Sequence, residues 1–395
     1  MPRWGPGRLA RARLCRGRRA GLAMLAPVAA GLALAPGAIA APAIESAFVT
    51  DGPVHAVARS GGITYIGGSF SELRAQTGGA ARVSSTSGKR FVASPVVTGE
   101  VLASAPDGAG GAFIGGTFTH VGGVARRNIA HILPDGTVDP AFNPDANNTV
   151  LALAVSGNDV YAGGLFSGPN SIGGQERNFI AKLSAASGNA FSAWDPDANG
   201  AVFALAVSGS DVYAGGVFDG PDSIGGRDRN RIAKLSAASG NAFSAWDPDA
   251  NSVVNALAVA GNDVYAGGNF DGPDSIGGRG RNRIAKLSAA SGNAFSAWDP
   301  DANNAVNALA FSGSHLYVGG AFAGADSIGG QPRNHIAKLS AASGNAFSAW
   351  NPDANATVNA LAVDEAAVYA GGGFMEIGGL PLAGFPRRGF AQLPR

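Results

Sequence analysis

Tyr213-Ala214-Gly215-Gly216-Val217-Phe218 decides the fold, because the same pattern or a near relative also begins at Tyr65, Phe113, Tyr161, Tyr265, Tyr317 and Tyr369. Successive copies lie 48, 48, 52, 52, 52 and 52 residues apart. A period near fifty residues exceeds most helical solenoid repeats and suits about four short strands with their turns. Seven such units imply a closed ring of radial sheets, and the chain has no room for a second domain.

Working outward from the motif, Val202 to Val207 reads VFALAV, apolar on both faces. That is expected of an innermost strand sandwiched between neighbouring sheets. A turn at Ser208 to Asp211 leads to a second strand, Val212 to Phe218, centred on Gly215-Gly216. Glycine in a strand costs about 0.5–1 kcal/mol relative to alanine. Its recurrence as a pair in every unit therefore points to close backbone approach near the ring axis. A phosphate cradle would need a helix start or a lysine after the glycines, and neither follows. The polar connection Asp219 to Asn230 precedes a third strand, Arg231 to Leu235, and a fourth is expected over Ala242 to Trp246. The aromatic of that fourth segment recurs at Phe142, Trp194, Trp246, Trp298 and Trp350, where it would fill the gap between splaying sheets. Stacking on a sugar is the alternative role. The third-strand lysines Lys182, Lys234, Lys286 and Lys338 read as outer-blade surface.

The first forty residues read as a secretory leader rather than as fold. Arg3, Arg8, Arg11, Arg13, Arg16, Arg18 and Arg19 precede an apolar stretch from Ala20 to Ala35 and the small-residue site Ala38-Ile39-Ala40. Arg18-Arg19 lacks the rest of a twin-arginine motif, so general export to the periplasm or the exterior is expected. Cleavage there removes seven arginines, no acid and Cys15, the only cysteine, and moves the formal charge from +1 to −6. A mildly acidic body argues against nucleic acid as a partner. Without cysteine, stability must come from packing and from closing the ring. The remainder contains no apolar run long enough for a membrane span.

The ends complete one another. Unit seven stops at Phe390-Ala391-Gln392-Leu393, directly after its third strand, and Ser46-Ala47-Phe48 matches Ser348-Ala349-Trp350 in kind. The N-terminal segment is therefore expected to pair with the last blade and seal the ring. The fold read from the residues is an all-β, seven-bladed β-propeller of four-stranded antiparallel blades. The run LPDGTVDPAFNP (Leu133 to Pro144), with the recurring GGxF, IGG and RNxIA elements, resembles the delta-60 repeat β-propellers of secreted bacterial proteins. The resemblance covers nearly all of residues 44–395 and implies the propeller fold; it brings no catalytic residues with it. Unit one departs from the pattern, lacking the RN pair and carrying Ser94 in the place of the rim aromatic.

In such a ring the fourth-to-first and second-to-third connections emerge on one face, and these are the most polar loops of the chain. The candidate ligand-binding residues are Asp195, Asp197, Asn199, Asp219, Asp222, Arg227, Arg229 and Asn230, with Asp247, Asp249, Asn251, Asp271 and Asp274 in the following unit. Asp195, Asp197 and Asn199 open like a calcium loop, but position twelve is Ala206, so Asx turns are the preferred reading. His55, His120, His131, His315 and His335 occupy unlike repeat positions with no metal-ligand spacing and read as solvated or strand-surface groups. No serine sits in a nucleophile elbow. The expected function is that of a monomeric, non-catalytic, cofactor-free binding or structural module, multivalent for a glycan or surface protein. The alternative is an extracellular hydrolase or lyase working in the central channel.

Overall fold

A computed structural model describes residues 50–71, 78–84, 94–378 and 389–395, with 78–84 as backbone alone. The leader over 1–40 and the closing segment Ser46-Ala47-Phe48 lie outside the described residues. All regular structure among the described residues is β.

Unit four shows how the repeat folds. Its inner strand Val202–Ser208 pairs antiparallel with the middle strand Asp211–Gly216, which pairs with the outer strand Ile232–Ser236. The hairpin closes through Ser208 and Asp211, with Gly209 at φ 58°, the glycine-first position of a primed two-residue turn. The outer strand begins one residue later than the sequence predicts. Arg231 takes φ 64° to donate its amide to the Phe218 carbonyl, and so belongs to the turn.

Among the described residues the predicted fourth strand does not form, and units three to seven are three-stranded sheets. Only Ala242 forms a bridge, to Leu235, before the chain turns back and the Trp246 amide bonds the Phe243 carbonyl at 3.3 Å. Two polar pulls break the strand. The Ala242 amide bonds Gly225 O in the second-to-third connection, and the carbonyls of Phe243 and Ser244 are drawn onto Arg229. Units one and two form one larger sheet, because the unit-one outer strand Gly78–Ser84 pairs parallel with the start of Val97–Pro106.

The paired glycines solve two separate packing problems. A Cβ on Gly215 would lie 2.7 Å from Val254 Cγ1, the first residue of the next inner strand. On Gly216 it would collide with the Ala201 carbonyl of the same blade. The first contact repeats along the chain, Gly163 facing Val202 and Gly319 facing Val358, and Gly371 of unit seven faces Val54 of unit one. Close approach is thus real: the first glycine lies against the valine side chain of the next unit, and the second against the backbone of its own blade. Each core cluster accordingly spans two units. Tyr213, Ile232 and Trp246 of unit four pack with Val254, Val264, Ala266 and Leu287 of unit five.

Candidate functional site

The DPDAN loops are fasteners between neighbouring blades. In Asp247 to Asn251, Asp249 Oδ1 accepts from Asn230 Nδ2 at 2.6 Å, and Asp247 Oδ2 accepts from Arg229 Nη1 at 3.2 Å, both partners belonging to the connection of unit four. Asn251 then reaches forward to unit five, its Nδ2 donating to the Asp271 carbonyl at 2.7 Å. The preceding loop repeats this, with Asp195 on Arg177, Asp197 on Asn178, and Asn199 on the Asp219 backbone. The two kinds of loop therefore do share one face, and their recurring polar residues bind each other.

Arg229 is only 5% exposed and is not offered to solvent. Its Nη2 donates to the carbonyls of Phe243 and Ser244 at 2.7 and 3.3 Å, and its Nη1 to Asp228 O at 2.6 Å. Ser223, fully buried, locks the same segment by accepting the Arg229 amide and donating to its carbonyl. Asp219 and Asp271 are taken by Arg231 and Arg283 at 2.6 and 2.7 Å. Of the predicted face Arg229 is buried and Asn230 half-buried, and the other residues, Asp222, Asp274 and Arg227 among them, stand exposed. The carboxylates of Asp222 and Asp274 make no hydrogen bond or ion pair among the described residues.

Asp195, Asp197 and Asn199 each turn an oxygen or amide to a protein partner. Among the described residues, no group of three or more His, Cys, Asp or Glu is placed to hold a metal ion. Thermal melts with millimolar calcium and with chelator are expected to coincide. A ligand at a hundred times its dissociation constant would add about 2.7 kcal/mol, and a rise in melting temperature abolished by Asp197→Ala would identify these oxygens as ligands.

Two sequence readings change. Three of the third-strand lysines, Lys182, Lys234 and Lys286, are inter-blade staples rather than surface. Lys234, 12% exposed at its side chain, pairs with Asp211 at 2.9 Å, lies 4.9 Å from the Phe243 ring centre and donates to Ala289 O of the next unit at 2.9 Å. Burial and the Asp211 charge beside it push Tyr213 up to about 12, so the phenol stays neutral. His131 is likewise buried, stacked 4.2 Å from Phe113, with Nδ1 on Asp139 at 2.9 Å and Nε2 on Asp107 at 3.1 Å.

Burial raises the Asp107 carboxyl, but the amides of Ala109 and Gly111 and the His131 ring more than offset it and hold the group below its ordinary 3.8. Asp139 is lowered in the same way, burial being outweighed by His131 and the Ala141 amide. A carboxylate depressed in the folded state stabilises above its unfolded value and loses that contribution as pH falls through the folded one. Asp139→Asn is therefore expected to flatten the loss of stability below about pH 4, measured by urea melts at stepped pH. An unchanged acid limb would remove this pair from the account.

Residues 113–142 match the family described as a domain of unknown function (DUF5122) beta-propeller. Among solved structures the chain is similar to the WD40 beta propeller domain of Doa1, at 13% identity over 83% of this chain and 93% of that one, with a TM-score of 0.56. It is similar to the computationally designed Ika8 protein at 16% identity, covering 89% and 100%, with a TM-score of 0.54. A chain of the Mitotic Checkpoint Complex is similar at 14% identity, 97% and 99% coverage and a TM-score of 0.56. No curated protein matches. At these identities the likeness speaks to fold alone: the chain is an all-β propeller of repeated blades. No described helix is long and apolar enough to cross a membrane.

Proposed function

We propose that this chain is a secreted, non-catalytic propeller of the delta-60 repeat type, seven-bladed and closed, which binds a repetitive glycan or surface protein through weak equivalent sites on its loop face. One observation carries the reading. Asn178, Asn230, Asn282 and Asn334 hold Asp197, Asp249, Asp301 and Asp353 at 2.6–2.7 Å, each aspartate at φ between 49° and 54°. Four exposed carboxylates thus recur in one rigid geometry, each with a second oxygen for a ligand. Equivalent weak sites gain avidity against a polymer without any strong single contact. The test is a glycan and cell-surface array followed by calorimetry on any hit. Several equivalent sites per chain are expected, whereas a single site or turnover of the ligand overturns the reading.

Closure is supported by the contact between Val54 and Gly371, the same pair that joins each unit to the next. Gly371→Ala would set a Cβ 2.5 Å from Val54 Cγ1. Overpacking of this kind costs about 1–3 kcal/mol. In a closed ring Gly371→Ala and Gly215→Ala lose similar stability in urea melts. In an open array the first is nearly silent, because Val54 can move away.

A further inference from the structure

Every inner strand carries a β-bulge at one place, and the residue left out of register is the one after the valine that pairs with the second glycine of the middle strand. These residues are Leu102, Leu151 and Phe203 in units two to four, Asn255, Asn307 and Asn359 in units five to seven, and His55 in unit one. A bulge re-aims its side chain out of the strand alternation. All but Asn359 line one open-mouthed cavity of about 180 Å³. Asn359 joins them through a relay in which Asn255 Nδ2 donates to Asn307 Oδ1 at 3.4 Å and Asn307 Nδ2 to Asn359 Oδ1 at 3.3 Å. The bulge residues thus divide into an apolar arc and an amide arc.

This division is absent from the rest of the repeat. The strands read VLALAV, VFALAV, VNALAV, VNALAF and VNALAV in units three to seven, and the second position carries most of the difference. Leucine, phenylalanine and asparagine all fit the same bulge, so blade packing does not dictate the choice. Leucines such as Leu153, Leu205, Leu257 and Leu309 also line the cavity, two residues further along each strand. Ser104 is the exception, a cavity-lining residue whose buried hydroxyl has no hydrogen-bond partner among the described residues. Buried polar atoms are rarely left so, and this one marks a place for a polar group. Burial lowers the His55 ring, with Glu100 opposing, so the imidazole adds no charge at neutral pH.

We propose that this cavity binds a neutral, hexose-sized sugar residue, its C–H face against Leu102, Leu151 and Phe203 and its hydroxyls on Asn255 and Asn307, with Asn359 orienting the Asn307 amide from behind. An amide offers donors and an acceptor together, matching adjacent hydroxyls that do both. The lining includes none of the loop-face residues, and the site requires only that the inner strands surround one cavity.

The experiment uses the full chain and the methyl glycosides of glucose, galactose, mannose and N-acetylglucosamine, followed by saturation-transfer NMR and calorimetry. Asn307→Leu installs the residue of unit three and Phe203→Asn that of unit five, so both variants keep a bulge the scaffold already tolerates, and their melting temperatures confirm folding. At least one glycoside is expected to bind at one site per chain, about tenfold more weakly in either variant and unchanged in Glu365→Gln, an exposed residue outside both sites. Binding by none of the four, survival in both channel variants, or loss in Glu365→Gln overturns the proposal. Failure of the loop-face reading shows elsewhere, as absence of polymer binding at several sites per chain.

Discussion

Trp246→Ala is expected to lower the unfolding free energy by about 3–5 kcal/mol, the range for removing a large buried aromatic. The side chain is 1% exposed, lies edge-on to Tyr213 at 5.4 Å, and packs into the cluster built by unit five. Its Nε1 donates to the Ser288 carbonyl of that next unit at 3.0 Å. Truncation therefore opens a cavity between two blades and leaves a carbonyl without its donor. Trp246→Phe separates these effects, since Phe142 fills the equivalent place in unit two, fully buried and 4.9 Å from Phe113. That variant keeps most of the packing and should cost about 1 kcal/mol, the net worth of one hydrogen bond. Urea melts decide the matter. A loss from Trp246→Ala well under about 1 kcal/mol would mean the ring faces solvent and would restore sugar stacking as its role.

The buried tryptophan was legible in the sequence for a reason the structure replaces. The alternation around Ala242 to Trp246 suggested a strand, yet the segment turns after a single bridge, and the indole is buried because the turn folds it onto the next blade. The inner and middle strands were readable because a short run apolar on both faces and a recurring glycine pair are local properties. The arginine clamp was not, because its partners are carbonyls fourteen and fifteen residues away, which leave no trace in side-chain identity. A constant spacing of eighteen residues between Arg177 and Asp195, Arg229 and Asp247, and Arg281 and Asp299 was the available signal. The bulges were hidden for another reason. VFALAV looks like an unbroken alternation, and only the pairing register shows that Phe203 has left it.

Arg229→Met is expected to cost about 2–4 kcal/mol, since hydrogen bonds to a charged group are worth about 1.5–3 kcal/mol and here several are lost together. The guanidinium joins the Phe243 and Ser244 carbonyls to the Asp228 carbonyl and the Asp247 carboxylate, so methionine of similar length leaves the turn that carries Trp246 without this anchor. Asp247→Asn should cost far less, below about 1 kcal/mol. The Asp247 side chain is 47% exposed, and its half of the ion pair is shared with water. Arg229→Lys should fall near the methionine variant, because an ammonium cannot span two adjacent carbonyls and a carboxylate as a planar fork does. Urea melts of the three variants give the order. If Arg229→Met melts with the wild type while binding of an acidic polymer disappears, the arginine belongs to the ligand face as the sequence alone suggested, and the clamp does not hold the blade.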